Sequence, residues 1–275
     1  MNLSFIYKDQ LPVSLSLGKP ACHWHVQNNI FISCVTDATA LIRDPSKIDS
    51  QLLIKEQTRR LIFKHKSPRG DVLIKAFPLN SIRKRLQNKK YAPSEAINLF
   101  MAQQRGIPVP ELIGYGCQTE WLIVKWNAIC QEFIDAPSLE NLLDGESNPK
   151  ERYKLLRRAF PSFKSLYCAG CNHIDFKPGS ILTREDGEDV IIDWQYARFL
   201  AKPSKQILAA QAGYFAWDVS VRNRWIKPVE MDTWYQELLD YLNINDTTEM
   251  QSIFSKTSGL RHSIMDRLTG KAGLS

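Results

Sequence analysis

Two aspartates stand where a chain could do phosphoryl chemistry. Asp175 lies in the run His173-Ile-Asp-Phe-Lys-Pro-Gly-Ser-Ile-Leu182, and Asp193 closes the run Val190-Ile-Ile-Asp193, eighteen residues further on. The first run falls in a loop over 170–180. The second is the far strand of a small hairpin, 181–182 against 190–193, with its turn at 185–188. Phosphoryl transfer needs such a pair of acids. One carboxylate orients the attacking hydroxyl and takes its proton, and the other holds Mg²⁺ against nucleotide phosphates. Both must be ionised, and a loop wedged against a hairpin fixes their separation.

The elements around them divide at about residue 136. The first half is strand-rich. Residues 52–56, 61–66 and 71–77 alternate apolar and polar types around the turn Ser67-Pro-Arg-Gly70 and predict an antiparallel meander. Residues 120–126 and 129–134 predict two more strands, and 29–41 has a β-like composition, with Ile30, Phe31, Ile32, Val35 and Thr36. Helices are predicted over the basic stretch 81–90 and over 94–105, where Pro93 precedes and Gly106 ends the pattern. The prolines of Ile107-Pro-Val-Pro110 keep that segment extended. The second half is helical: 138–143, then 149–169 with a kink at Pro161, 204–221, 231–242 and 249–268.

Those residues carry a resemblance. His173–Leu182 resembles the catalytic loop of the protein-kinase-like superfamily, H-x-D-x-K-P-x-N-I-L, and Asp193 matches the metal-binding Asp of its D-F-G element. The resemblance implies an α+β, two-lobed protein-kinase-like fold, with a β-rich, nucleotide-binding N-lobe over 1–135 and a helical C-lobe over 136–275. It implies that ATP and Mg²⁺ are the cofactors. Asp175 is then the residue that orients and deprotonates the acceptor, and Lys177 the one that screens charge on the moving phosphoryl group. Val72-Leu-Ile-Lys75 looks like the strand of the phosphate-pairing lysine, with Glu95 as its partner. Gln131-Glu-Phe-Ile134 looks like the hinge, where Glu132 and Ile134 would meet adenine through their backbone. The order Ser94-Glu-Ala, then Gly106-Ile-Pro-Val-Pro110, then Gly114 and Gly116, then Asp175-Phe-Lys-Pro-Gly179, is similar to the bacterial lipopolysaccharide core kinases. It covers about 50–200. That family implies a kinase for a sugar hydroxyl of the inner core, heptose or Kdo.

This sequence departs from the pattern in two places. Ser180 stands at the position of a metal-binding Asn, and its hydroxyl is a shorter Mg²⁺ ligand. No glycine-rich loop precedes Lys75. The turn there is Gln57-Thr-Arg-Arg60, so Arg59 and Arg60 are candidates for charge on the phosphates, against a plain tight turn. Asp193 is followed by Trp194 and Gln195, and no long activation segment follows, which argues against a regulated protein kinase. The alternatives that stay open are a small-molecule phosphotransferase, an atypical protein kinase and a non-enzymatic pseudokinase scaffold.

Composition bounds the rest. The chain has 275 residues, 44% hydrophobic and 24% charged, which excludes a disordered or collagen-like chain. Its net charge of +7 suits phosphate-bearing ligands, nucleic acid or an anionic membrane face alike. The run Arg83-Lys-Arg85 with Lys89 and Lys90 is the candidate for peripheral contact with an anionic inner membrane. The expected partner is a lipid-linked saccharide and not nucleic acid, and the expected location is cytoplasmic. No secretory core opens the chain, and no apolar run of 18 residues exists. Cys168 and Cys171 read as buried thiols. Cys22-His-Trp-His25 lacks a further metal ligand.

Overall fold

Strand-forming alternation dominates the first part of the chain. Leu61 and Phe63, then Val72, Ile74 and Ala76, are buried at every second position, so their strands share one apolar face. The computed structural model describes residues 11, 13–18, 22–57, 60–79, 81, 91–120, 123–184 and 187–259. Over these the chain is mixed α+β, an antiparallel sheet followed by a helical part. It divides into two units. One takes the residues up to Phe100 together with Pro110–Ile134; the other takes Met101–Val109 and the residues from Asp135 onward.

The first unit holds strands β1 (Val13–Leu17), β2 (Cys22–Val26), β3 (Leu53–Gln57), β4 (Arg60–Ser67), β5 (Gly70–Pro78), β6 (Leu112–Glu120) and β7 (Ile123–Glu132). They form one sheet in the order β1-β2-β6-β7-β5-β4-β3, antiparallel at every pairing. The expected meander is β3-β4-β5. The two strands expected over 120–134 are one continuous strand, β7, whose neighbour β6 was not foreseen. Gly114 and Gly116 hide β6 from a propensity reading. Both are there for packing: Gly116 pairs with Trp24, and a Cβ on it would fall 2.5 Å from the Trp24 Cε2.

Residues 29–41 are not a strand. Helix α1 (Ile32–Arg43) occupies most of the segment, opened by a short 3₁₀ turn that the Asn28 side chain caps. The β-branched residues there suggested extended chain, but the buried positions are Cys34, Val35, Ala38, Thr39 and Ile42. That spacing is helical, and it packs the helix on the sheet core of Trp24, Phe63, Ile74 and Trp126. Helix α2 (Tyr91–Gln104) ends before Gly106, whose φ of +70° only glycine adopts freely. The basic helix expected over 81–90 lies, but for Ser81, outside the described residues.

The second unit contains α3 (Leu139–Gly145), α4 (Pro149–Arg157), α5 (Phe160–Cys168), α6 (Lys205–Trp217), α7 (Pro228–Leu242) and α8 (Thr248–Gly259). Ser138, Asn148 and Ser204 cap α3, α4 and α6 with side-chain oxygens. The single kinked helix expected over 149–169 is two helices. Pro161 sits in the first turn of α5, where its missing N–H has no intrahelical partner to lose. Four short strands complete the unit: β8 (Cys171–His173) pairs with β11 (Ala197–Phe199), and β9 (Ile181–Thr183) with β10 (Asp189–Ile191). The core is aromatic. Phe163, Phe176, Phe215 and Trp234 meet with ring centroids 4.9–5.8 Å apart. Among the described residues no helix is long and apolar enough to cross a membrane.

Candidate active site

In the second unit, hydrogen bonds close the gap between Asp175 and Asp193. Asp175 stands two residues after β8, and Asp193 two after β10. His173 Nε2 lies 3.0 Å from the Ile192 carbonyl, and Ile192 N–H donates to the Ser180 carbonyl at 2.9 Å. Ser180 Oγ donates to the Asp175 carbonyl at 3.0 Å. Phe176, next to Asp175, is 2% exposed and inserts into the aromatic core. The catalytic-type loop and the end of the hairpin are thus tied to each other and anchored below.

His173 is a structural tie. It is buried, its ring stands edge-on to Trp194 at 4.8 Å, and its backbone carbonyl accepts from Gln211 Nε2 at 3.4 Å. Because a carbonyl only accepts, Nε2 carries the proton, and the buried Nδ1 has no partner. Burial lowers the His173 pKa, and the charges of Asp175 and Asp193 pull weakly the other way. The ring is therefore neutral, and both carboxylates lie near enough to act on it.

Asp193 has left-handed backbone, φ 65° and ψ 55°, and its side chain does not cap the 3₁₀ turn it precedes. Such a conformation in a residue with a Cβ costs on the order of 1–3 kcal/mol, and it concentrates at functional sites. Lys177 Nζ lies 3.2 Å from Asp175 Oδ2, with both side chains partly exposed. Ser180 is fully buried, and its hydroxyl hydrogen is used on the Asp175 carbonyl, which leaves only its lone pairs for a cation. Among the described residues no group of three or more His, Cys, Asp or Glu converges on a metal position, Cys22, His23 and His25 included. That donor set is poor for a protein-made cage. Mg²⁺ shared with phosphates would need only one or two carboxylates from the chain. Asp193 would hold it, with Ser180 Oγ as the second oxygen.

In the first unit, Lys75 and Glu95 form a buried ion pair. Nζ lies 2.6 Å from Oε1, and the side chains are 5% and 1% exposed. The sheet and helix geometry makes the pair possible. Phe77 and Lys75, two residues apart on β5, share a face, with a spacing of about 6.6 Å. Tyr91 and Glu95, four apart on α2, are spaced by about 6 Å. The two ladders match: Phe77 packs edge-on to Tyr91 at 5.7 Å, and Lys75 meets Glu95 one rung on. Two charges in such a place lose several kcal/mol of hydration each, which makes the pair a weak device for stability alone.

The expected hinge lies at the end of β7. Glu132 N–H donates to the Glu111 carbonyl at 2.9 Å, and Glu132 Oε2 accepts from Glu111 N–H at 3.2 Å. Phe133 N–H donates to the Asp71 carbonyl at 3.1 Å, whereas the buried Ile134 N–H finds no acceptor among the described residues. Arg59 lies outside the described residues; Arg60 opens β4.

Three contacts in the second unit were missed from sequence. A Cβ on Gly179 would overlap Glu140 Oε2, so α3 holds a carboxylate against the loop at Pro178–Ser180. Asp218 is buried and bound to Arg222, whose guanidinium also feels Asp175. Trp225 donates to Asp144 at 2.8 Å. The signal for the first was the Pro-Gly pair itself, which leaves room for a neighbour. The six cysteines are free thiols; burial pushes the Cys171 and Cys130 pKa values up, and Cys168 is exposed, not buried as expected. No protein-family model matches the chain, and no curated protein matches it.

Proposed function

We propose that the chain is an ATP-dependent phosphotransferase of protein-kinase-like fold. Its acceptor is a sugar hydroxyl of a lipid-linked saccharide, the heptose or Kdo of the lipopolysaccharide inner core. The observation that carries this reading is the hydrogen-bonded closure of the Asp175 loop on the Asp193 turn through His173, Ser180 and Ile192.

Asp175 orients the acceptor hydroxyl and takes its proton as oxygen attacks the γ-phosphorus. The new O–P bond forms, the bond to the β,γ-bridging oxygen breaks, and that oxygen leaves with ADP. Lys177, already hydrogen-bonded to Asp175, offsets charge on the moving group. Asp193 and Ser180 would hold Mg²⁺, which when bound neutralises phosphate charge. Glu95 fixes the Lys75 ammonium for the α/β-phosphates, and Ile134 N–H with the Glu132 carbonyl would meet adenine. The basic run 83–90, outside the described residues, would bring the protein to an anionic inner membrane from the cytoplasmic side.

The test is mass spectrometry of core oligosaccharide from cells with and without the gene. Loss of one phosphate from a core sugar supports the reading, and an unchanged phosphate pattern sinks it. Ser180, standing where the pattern has a metal-binding Asn, supports a second reading, a scaffold that binds nucleotide without transfer. That protein would bind Mg·ATP and leave the oligosaccharide unaltered.

A further inference from the structure

Helix α6 runs into a π-helical turn, Asp218–Arg222, closed by Asn223 N–H on the Asp218 carbonyl at 3.1 Å. Such turns are rare and gather at functional sites. The buried Asp218 carboxylate is bound at both oxygens: Oδ2 accepts from Arg222 Nη1 at 2.8 Å, and Oδ1 from Asn223 Nδ2 at 3.0 Å. Arg222 itself is 50% exposed, so one corner of its guanidinium is fixed and the remaining N–H groups are open to a ligand.

Three non-glycine residues among those described have positive φ: Asp193, Arg224 and Asn243. Asn243 ends α7 and is an ordinary helix stop. Asp193 belongs to the site above. Arg224, two residues beyond Arg222, has no such local reason. Its left-handed backbone is not explained by the Asp218–Arg222 pair, which engages neither the Arg224 side chain nor its backbone.

Helix α3 links this turn to the catalytic-type loop. Asp144 accepts from Trp225 Nε1, and Glu140, one helical turn earlier, presses on Gly179. The charges of Glu140 and Asp175 act on Arg222 after that of its nearer partner Asp218. A cationic fork braced by Asp218 thus belongs to a turn that α3 ties, through Asp144 and Glu140, to the loop carrying the candidate base.

We propose that Arg222 is the acceptor-recognition residue, taking a carboxylate or phosphate that the saccharide carries near the hydroxyl addressed by Asp175. This rests on the phosphotransferase reading, since it is that reading which brings a saccharide to Asp175. A guanidinium meets either anion with two parallel hydrogen bonds, and so fixes orientation as well as affinity.

The test is calorimetric binding of core oligosaccharide without nucleotide. The probe is used in three forms: native, carboxyl-reduced, and phosphate-stripped. Wild-type protein should bind the native form at least about tenfold more tightly than one of the neutralised forms, and which form loses affinity names the anion. Arg222→Gln strands the buried Asp218, so the paired variant D218N/R222Q, checked for folding by circular dichroism, is measured beside it. The folded double variant should bind all three forms alike. Undiminished discrimination in the folded double variant, equal binding of the three forms by wild type, or no binding of any form overturns the proposal. A separate Mg·ATP titration distinguishes the failures: discrimination kept with no nucleotide binding would remove the kinase reading alone.

Discussion

His173 donates its Nε2–H to the Ile192 carbonyl at 3.0 Å, so the residue two before Asp175 is bonded to the residue one before Asp193. A neutral, buried imidazole is the clamp. Its consequences can be read in pH.

Because burial holds the His173 pKa below its ordinary 6.5, the unfolded chain takes up a proton that the folded one refuses. Above about pH 6.5 both states are neutral there and the group adds no pH dependence. As pH falls below that value stability is lost, at up to about 1.4 kcal/mol per pH unit, until the folded pKa is reached. His173→Gln keeps a donor for Ile192 and removes the titration. Urea midpoints measured between about pH 5 and pH 7 should slope less in the variant. Equal slopes would show that His173 is not the group that resists protonation.

Breaking the Lys75–Glu95 pair on one side takes the ammonium away from a buried carboxylate. Lys75→Met should destabilise the protein by about 3–5 kcal/mol, and K75M/E95L should recover much of that loss. Chemical denaturation of the two variants checks this. If the double variant is as unstable as the single one, burial of the carboxylate without its ammonium is not the cost.

Gly179 leaves room for the Glu140 side chain of α3. Gly179→Ala would put a Cβ against the Glu140 carboxylate, the end of a flexible side chain that can swing aside, so it should cost less than about 1 kcal/mol, and Glu140→Ala should remove that cost. A double-mutant cycle reads the coupling. Additive losses would mean that Glu140 does not press on the loop.

The β5 strand and its turn at Ser67 were legible because each rests on local pattern: alternation and a turn containing Pro68 and Gly70. What sequence did not show depends on partners far along the chain. Residues 29–41 carry β-branched types yet bury a helical stripe, since Cys34, Ala38 and Ile42 face a sheet built from strands over 13–132. Strand β6 is masked by the glycines that admit Trp24. In the site, the ion-pair partner Glu95 was foreseen through resemblance, whereas Glu140 and Asp144 were not, because their meaning comes only from lying against Gly179 and Trp225.

Ser180→Ala removes the donor to the Asp175 carbonyl, at a net cost of about 1 kcal/mol. If the hydroxyl positions the loop, a shift of Asp175 should lower transfer by roughly 10²-fold while Mg·ATP affinity changes less. Steady-state kinetics with separate nucleotide titration decides between positioning and metal holding. A fall in nucleotide affinity as large as the fall in rate would assign Ser180 to the metal.

The two aspartates divide the labour in the proposed reaction: Asp175 meets the acceptor, and Asp193 holds Mg²⁺. Asparagine tolerates the left-handed backbone that Asp193 adopts, so D193N should fold. Titration of Mg·ATP into wild type, D175N and D193N separates the roles. The account predicts that D175N binds Mg·ATP nearly as wild type does and transfers nothing, whereas D193N loses the Mg²⁺-dependent part of binding. Equal Mg·ATP affinity in wild type and D193N would contradict it.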